Sequence, residues 1–265
     1  MESTSTMIWN RKLIDPSKER MEKPRTRGCT MVMDKGTGLI AFRDTLELAG
    51  AYIDFIKLGF GTAVLTPGAV LREKIILCKQ HQVNLYPGGT FFEIAVAQNC
   101  LHSYFRTLKE LQFEWVEISD GTIDLSRQDR EKAIREAIEW GFRVITEVGK
   151  KTAGSVATIP ELLSTYEHDV KAGAIYIIVE GRENGQNIGI YDDRGEVNSR
   201  YVMDVLKEVD PDRIIWETPQ KHQQIQILQL VGCNANLGNI PVHEILSVES
   251  LRRGLRSDTF CFWNR

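Results

Sequence analysis

VITEVGKKTAGSVATIPELLSTYEHDVKAGAIYIIVEGRE, residues 144–183, contains a whole structural unit. An apolar run ends in Glu147, Gly149, Lys150 and Lys151. A helical stretch follows, opened by Pro160 in its first turn and closed by Gly173, and a second apolar run ends in Glu180, Arg182 and Glu183. Proline suits a helix start, where its missing N–H is not needed, and glycine suits the position just past the end. Strand, helix and strand in this order make a βαβ unit. The alternation continues on both sides. VMDKG (32–36), YIDFIKLGFG (52–61), VNLYPGG (83–89) and WVEISDG (115–121) precede it, and IIWETPQK (214–221) and CNANLGNI (233–240) come after it. With the two runs of the quoted stretch the total is eight, the number a (β/α)8 barrel needs. The predicted fold is therefore α/β, a single (β/α)8 TIM barrel over 28–265 behind a short N-terminal extension, 1–27. In such a barrel the C-terminal strand ends face one mouth, where the chemistry sits.

Bulk properties agree with that reading and exclude others. A chain of 265 residues is the size of a single barrel domain, about 250 residues. Its 42% hydrophobic and 26% charged residues are ordinary for a globular protein. A net charge of −3 gives no basic field for nucleic acid. No apolar stretch approaches the roughly 18 residues of a membrane span. The opening MESTSTMIWNRKLIDPSKERMEKPRTRG lacks the apolar core of a signal peptide, so a cytoplasmic location is expected. The five cysteines (Cys29, Cys78, Cys100, Cys233, Cys261) are scattered, without the paired spacing of a zinc site. Cys29 and Cys233 lie in strand-like runs and read as buried apolar thiols. The five histidines form no ligand-like pair, and only His222 follows a strand end.

Helical patterns fill the spaces between strands. IAFRDTLELAG (40–50) puts Ile40, Phe42, Leu46 and Leu48 near one side and ends on Gly50 as a C-cap. REKIILCKQH (72–81) is amphipathic, and SRQDREKAIREAIEWG (126–141) starts on Ser126 as an N-cap with Asp129 in the first turn. Two connections exceed what the alternation requires: KTAGSVATI (151–159) and NGQNIGIYDDRGEVN (184–198), the latter with a hairpin-like turn at Arg194-Gly195. Both leave C-terminal strand ends, so both should overhang the mouth, as lids, as contacts between subunits or as plain surface excursions.

The strand ends carry an unusual load of charge. The first offers Asp34, Lys35 and Gly36; the second offers Lys57, in phase with Phe55 and Gly59. A lysine between apolar strand neighbours needs a carboxylate or an anionic ligand. YPGGT supplies two glycines and Thr90 ahead of a helix, exposing N–H groups, and EISDGT supplies Glu117, Ser119 and Asp120. The fifth end gives Glu147, Lys150 and Lys151, the sixth Glu180, Arg182 and Glu183, and the seventh Glu217, Gln220 and Lys221. Glu117, Glu147, Glu180 and Glu217 thus come from four consecutive strands at similar depth. Their mutual repulsion calls for a hard cation such as Mg²⁺ or for lysine and arginine partners. The eighth run brings Asn234, Asn236, Gly238 and Asn239, suited to the phosphate site that barrels build after strands seven and eight, with Arg182 or Lys221 as a source of charge. RRGLRSDTF (252–260) is placed to order the C-terminus and not to touch ligand.

Taken together, KPRTRG, DKG, YIDFIKLGFGTA, YPGGTFFEIA, EISDGTI, EVGKK, DVKAGAIYIIVEGRENG, ETPQKHQQ, NANLGNIP and SLRRGLRSDTF resemble the phosphosulfolactate synthase family, in one order from Lys23 to Phe260. The resemblance implies a (β/α)8 barrel and a carbon–sulfur lyase. The implied reaction is Mg²⁺-dependent addition of sulfite to phosphoenolpyruvate, giving (2R)-2-phospho-3-sulfolactate, which serves coenzyme M biosynthesis in methanogens and sulfolactate formation in some bacteria. It also implies a homo-oligomer, such as a trimer, while the charge and the lack of a long apolar run predict neither a nucleic-acid nor a membrane partner. Carried onto this chain, it makes Lys151 the proton donor, with Lys57 the rival and Lys150 a neighbour able to hold sulfite. Glu147 and Glu180, then Glu217, become the Mg²⁺ ligands, and Arg182, Asn236 and Gly238 the contacts to phosphate or sulfite. Two anions must meet, so a cation-lined mouth is a requirement of the chemistry.

Departures from the family pattern are changes of size, expected near the mouth: Thr218 for alanine, Ala235 for valine and Phe60 for tryptophan. Two other readings remain open. The family includes non-enzymatic, heat-stress-associated plant relatives, from which this chain differs by keeping EVGKK, EGRE and ETPQK. A barrel lyase adding another small nucleophile to phosphoenolpyruvate would show the same positive site.

Overall fold

Each of the eight apolar runs forms a strand: β1 (Thr30–Asp34), β2 (Phe55–Leu58), β3 (Asn84–Pro87), β4 (Trp115–Ile118), β5 (Arg143–Val148), β6 (Tyr176–Val179), β7 (Ile214–Glu217) and β8 (Asn236–Pro241). The structure, a computed structural model, describes residues 8–152 and 154–263. Every ladder is parallel, in the order β3-β2-β1-β8-β7-β6-β5-β4, with helices between the strands. Among the described residues no ladder joins β3 to β4. There the Gly89 N–H donates to Glu117 Oε1 at 2.7 Å, so side chain and helix start bridge a nearly closed (β/α)8 barrel.

Strand parity builds the interior in layers. Residues two apart on a strand point the same way. Phe55, Trp115, Ile145, Ile178 and Ile215 form one apolar cluster, with the Phe55 and Trp115 rings edge to face at 5.0 Å. Two residues further along the same five strands stand Lys57, Glu117, Glu147, Glu180 and Glu217. The alternation that fills the barrel with apolar side chains therefore stacks a charged layer directly above them. Residues of the opposite parity, among them Val116, Val144, Ile177 and Trp216, face outward and are sealed beneath the helices.

The extension lies against the opposite, N-terminal end of the strands. Arg20 pairs with Glu249 at 3.0 Å and donates to the Gly28 carbonyl, and Arg25 pairs with Asp54 just before β2 at 3.0 Å. Arg252, fully buried, donates to the carbonyls of Cys233, Ala235 and Cys29. Residues 1–7 of the predicted extension lie outside the described residues.

Local signals fare unevenly. Ser126 accepts from Asp129 N as expected, and Gly173 closes its helix at φ 115°. Thr158 and Glu161 add a full capping box beyond the expected Pro160 and Gly173 signals. Ile40 and Leu48 are 82% and 70% exposed, whereas Phe42 and Leu46 are buried. At 3.6 residues per turn, positions 42 and 46 share a face that 40 and 48 do not. Gly50 ends that helix in right-handed conformation, and the chain runs on into a tight 3-10 turn. The two long loops are tied together: Gly154 N donates to Asn187 O and Gly189 N to Ser155 O. Gly195, at φ 81°, turns the second loop so that Tyr191 and Val197 pair. Among the described residues no helix is long and apolar enough to cross a membrane.

Candidate active site

Lys57 is buried in the middle of the charged layer and answers its own desolvation problem. Its ammonium lies 3.0 Å from Glu117, 3.1 Å from Glu147 and 3.2 Å from Glu217. Burial alone would push its pKa down, but the three carboxylates outweigh that and hold it well above the usual value. Lys151 stands higher, one-fifth exposed, 2.9 Å from Glu147, 3.3 Å from Glu93 and 3.9 Å from Glu180. Its pKa is raised too, because Glu147 and Glu180 overcome the effect of burial.

The glutamates divide by environment. Burial pushes Glu180 well above the carboxylate range, and Glu147 and Glu217 push it the same way. Burial also raises Glu117, to about 7, with Lys57 opposing. Glu147 is lowered instead: burial would raise it, but Lys151 and Lys57 prevail. Carboxylate oxygens of Glu147, Glu180 and Glu217 lie within 4.8 Å of one another. Glu217 is steadied by Gly181 N at 2.9 Å, and its carbonyl accepts from the Tyr191 hydroxyl, supplied by the long loop after β6.

Above these groups opens a cavity of about 320 Å³. Lys57, Lys151, Glu147, Glu180 and Glu217 line it, and Arg182 with Asn239 forms one side. Arg182, Asn239 and Phe60, which also lines it, have left-handed backbones (φ 57°, 54° and 55°). Such conformations are uncommon outside glycine and collect at functional sites. Arg182 N donates to Glu180 Oε1 at 2.6 Å, and its carbonyl accepts from Asn239 Nδ2 at 2.9 Å. At the rim, half-exposed Lys35 and Glu183 pair at 3.1 Å.

Four of the residues assigned to the site stand elsewhere. Lys150 points away from the cavity: Gly149, at φ 127°, turns the chain, and the ammonium binds the Asp120 and Ile123 carbonyls at 2.8 Å and Asp124 at 3.0 Å. Asn236 sits at the bottom of β8, where it accepts from Cys29 N and donates to the Asp212 and Ile214 carbonyls. Gly238 pairs in register with Glu217 in the barrel wall but does not line the cavity, and a Cβ there would meet Met31 and Ile215. Lys221 opens its helix outside the cavity, paired with Asp258 at 2.9 Å. Asn239, three residues beyond Asn236, is the asparagine of β8 at the cavity. Of the size changes, Ala235 lies at the bottom beside Arg252, not near the mouth. Asp34 is drawn off by Lys74 at 2.6 Å.

Glu93 was missed. It is the single charged residue in the helix GTFFEIAVA (Gly89–Ala97) and is 1% exposed. A carboxylate in so apolar a stretch must have a fixed partner, and that is the signal the sequence carries for it.

The family model for (2R)-phospho-3-sulfolactate synthase (ComA) matches residues 18–258. The chain belongs to the phosphosulfolactate synthase family. It is 42% identical over 242 residues to the phosphosulfolactate synthase of Methanothermobacter thermautotrophicus, covering 91% of this chain and 94% of that one. To the Bacillus subtilis phosphosulfolactate synthase it is 38% identical over 244 residues, covering 91% and 95%. These relatives support an enzyme. The 3-hexulose-6-phosphate synthase of Salmonella typhimurium superposes with a TM-score of 0.55 at 14% identity, over 84% of this chain and 97% of that one, a likeness of fold alone.

Proposed function

We propose that the protein is a carbon–sulfur lyase that adds sulfite to phosphoenolpyruvate to give (2R)-2-phospho-3-sulfolactate. The observation that carries this reading is one cavity holding both the Glu147–Glu180–Glu217 group and the Lys151 ammonium. The sulfur lone pair of sulfite forms a bond to the methylene carbon, and the double-bond electrons move toward the substrate carboxylate. The neighbouring carbon, which bears the phosphate, then takes a proton. Lys151 is the donor in this reading: its ammonium reaches the cavity from the rim, whereas Lys57 lies beneath, held by three carboxylates. A fixed donor on one side of a planar carbon sets the configuration of the product. Arg182 supplies positive charge beside the two anionic substrates.

The donor set suits Mg²⁺. Among the described residues, Glu93, Glu117, Glu147, Glu180 and Glu217 meet two ammonium groups at the heart of the site, those of Lys57 and Lys151. Glu180 Oε2 is buried and accepts no hydrogen bond. An all-oxygen, acid-rich site with an unsatisfied buried oxygen fits a hard divalent cation. Glu147, Glu180 and Glu217 would hold it; when bound, it supplies positive charge for the substrate carboxylate and the negative charge that develops on it.

The test is incubation of the purified protein with phosphoenolpyruvate and sulfite, with Mg²⁺ or with EDTA, followed by mass spectrometry. The reading predicts phosphosulfolactate with Mg²⁺ and a large loss with EDTA. A folded protein that makes no product contradicts it.

A further inference from the structure

We propose that Glu93 is the positioning residue for Lys151, fixing its ammonium over the cavity by tying it to the turn after β4. The inference rests on the reading of Lys151 as proton donor. Glu93 lies on the helix after β3, and its carboxylate reaches across the gap where β3 and β4 form no ladder. Oε1 accepts from Ser119 Oγ at 2.5 Å, Gly121 N at 3.1 Å and Lys151 Nζ at 3.3 Å, and Oε2 accepts from Thr122 N at 2.8 Å. Three donors come from residues 119–122 and the fourth is the lysine. One buried carboxylate thus joins three consecutive βα units.

The same turn grips Lys151 at two further points. Lys151 N donates to the Gly121 carbonyl at 2.9 Å. The lysine stem lies along Gly121 so closely that an added Cβ would stand 2.9–3.0 Å from Cγ, Cδ and Cε. Both ends of the side chain are therefore referenced to residues 119–122, directly at the backbone and through Glu93 at the ammonium.

Three carboxylates surround that ammonium, and they are not equivalent. Glu147 and Glu180 belong to the group suited to a cation. Glu93 does not; its remaining bonds go to the turn. With Thr90 Oγ1, 3.2 Å from Nζ, it fixes the lysine independently of whatever occupies the glutamate group. A proton donor works by geometry first, and a misplacement of about 1 Å costs on the order of 10²-fold in rate.

The test compares wild type, Glu93→Gln, Glu93→Asp, Lys151→Ala and the Glu93→Gln/Lys151→Ala pair, measuring kcat, KM for each substrate and Tm. A residue acting through Lys151 lowers kcat about 10- to 100-fold in Glu93→Gln, leaves KM within about threefold, and adds nothing in the Lys151→Ala background. Restoring the charge one methylene shorter, in Glu93→Asp, recovers part of kcat, and this variant serves where Glu93→Gln does not fold. Wild-type kcat in Glu93→Gln, or losses that multiply in the double variant, overturn the proposal. A wild-type protein without turnover would count against the reaction. The positioning is then read from crystal structures of wild type and Glu93→Gln, in which Nζ is expected to move by about 1 Å or more; an unmoved Nζ overturns it.

Discussion

Lys151 Nζ lies 2.9 Å from Glu147 Oε1, four residues back across the left-handed turn at Gly149. The other oxygen of Glu147 faces Lys57 at 3.1 Å. One carboxylate therefore stands between the two ammonium groups of the site. This keeps Glu147 ionised despite burial, while Glu180 beside it is pushed toward its neutral form. Their neighbours push the two pKa values in opposite directions, since both are glutamates of adjacent βα units.

If Glu147, Glu180 and Glu217 hold a divalent cation, replacing any one by glutamine weakens Mg²⁺ binding by at least about tenfold. Isothermal titration calorimetry on each variant measures this directly. Affinity unchanged in all three would remove the cation from this group.

Gly121→Ala brings a methyl group against the Lys151 stem. The side chain must shift. The variant is expected to lose about tenfold or more in kcat while KM for phosphoenolpyruvate changes little. Steady-state kinetics decide; an equal rise in KM with kcat intact would point to substrate binding.

Acid stability should depend on buried ion pairs outside the cavity. Burial would raise Asp34, but the Lys74 ammonium and the Thr37 and Gly36 N–H groups hold it below the usual range. Glu249 is likewise lowered, with Arg20 outweighing burial. A pKa lower in the folded than in the unfolded state contributes stability that is complete above the unfolded value, about 3.9 for Asp and 4.3 for Glu. It is lost as pH falls through the folded value. Urea unfolding of wild type and Lys74→Met should therefore show a gap at about pH 6 that narrows below about pH 4. A gap independent of pH contradicts the assignment.

Arg252 closes the bottom of the barrel, and among the described residues its hydrogen bonds go to three carbonyls and Thr30 Oγ1 and to no carboxylate. Arg252→Met leaves buried acceptors unsatisfied, each at about 1–3 kcal/mol. A loss of about 3 kcal/mol or more is expected from chemical denaturation, with kcat of the folded fraction retained because the mouth lies at the other end of the strands. Wild-type stability would show that other donors replace it.

Most of the architecture could be read from the chain because the barrel writes itself twice, in the repeat of strand and helix and in the parity within each strand. Phe55 before Lys57, Ile145 before Glu147 and Ile215 before Glu217 announce a charged layer over an apolar one. Parity says nothing of height, nor of side-chain direction once the chain has turned. Asn236 and Asn239 look alike in NANLGNI, yet one is at the bottom of the barrel and the other at the cavity. Lys150 and Lys151 are adjacent, and the turn at Gly149 sends one outward and one inward. Glu93 comes from a helix, so no strand-end argument reaches it. Its role depends on the gap between β3 and β4, which is a property of the closed fold and not of any local motif.

The most direct measurement is the rate of phosphosulfolactate formation from phosphoenolpyruvate and sulfite with Mg²⁺, by wild type, Lys151→Ala and Lys150→Ala in parallel. Wild type is expected to turn over, Lys150→Ala to stay within a few-fold of it, and Lys151→Ala to lose about 10²- to 10⁴-fold. Wild-type turnover by Lys151→Ala, with product of unchanged configuration, would contradict the account.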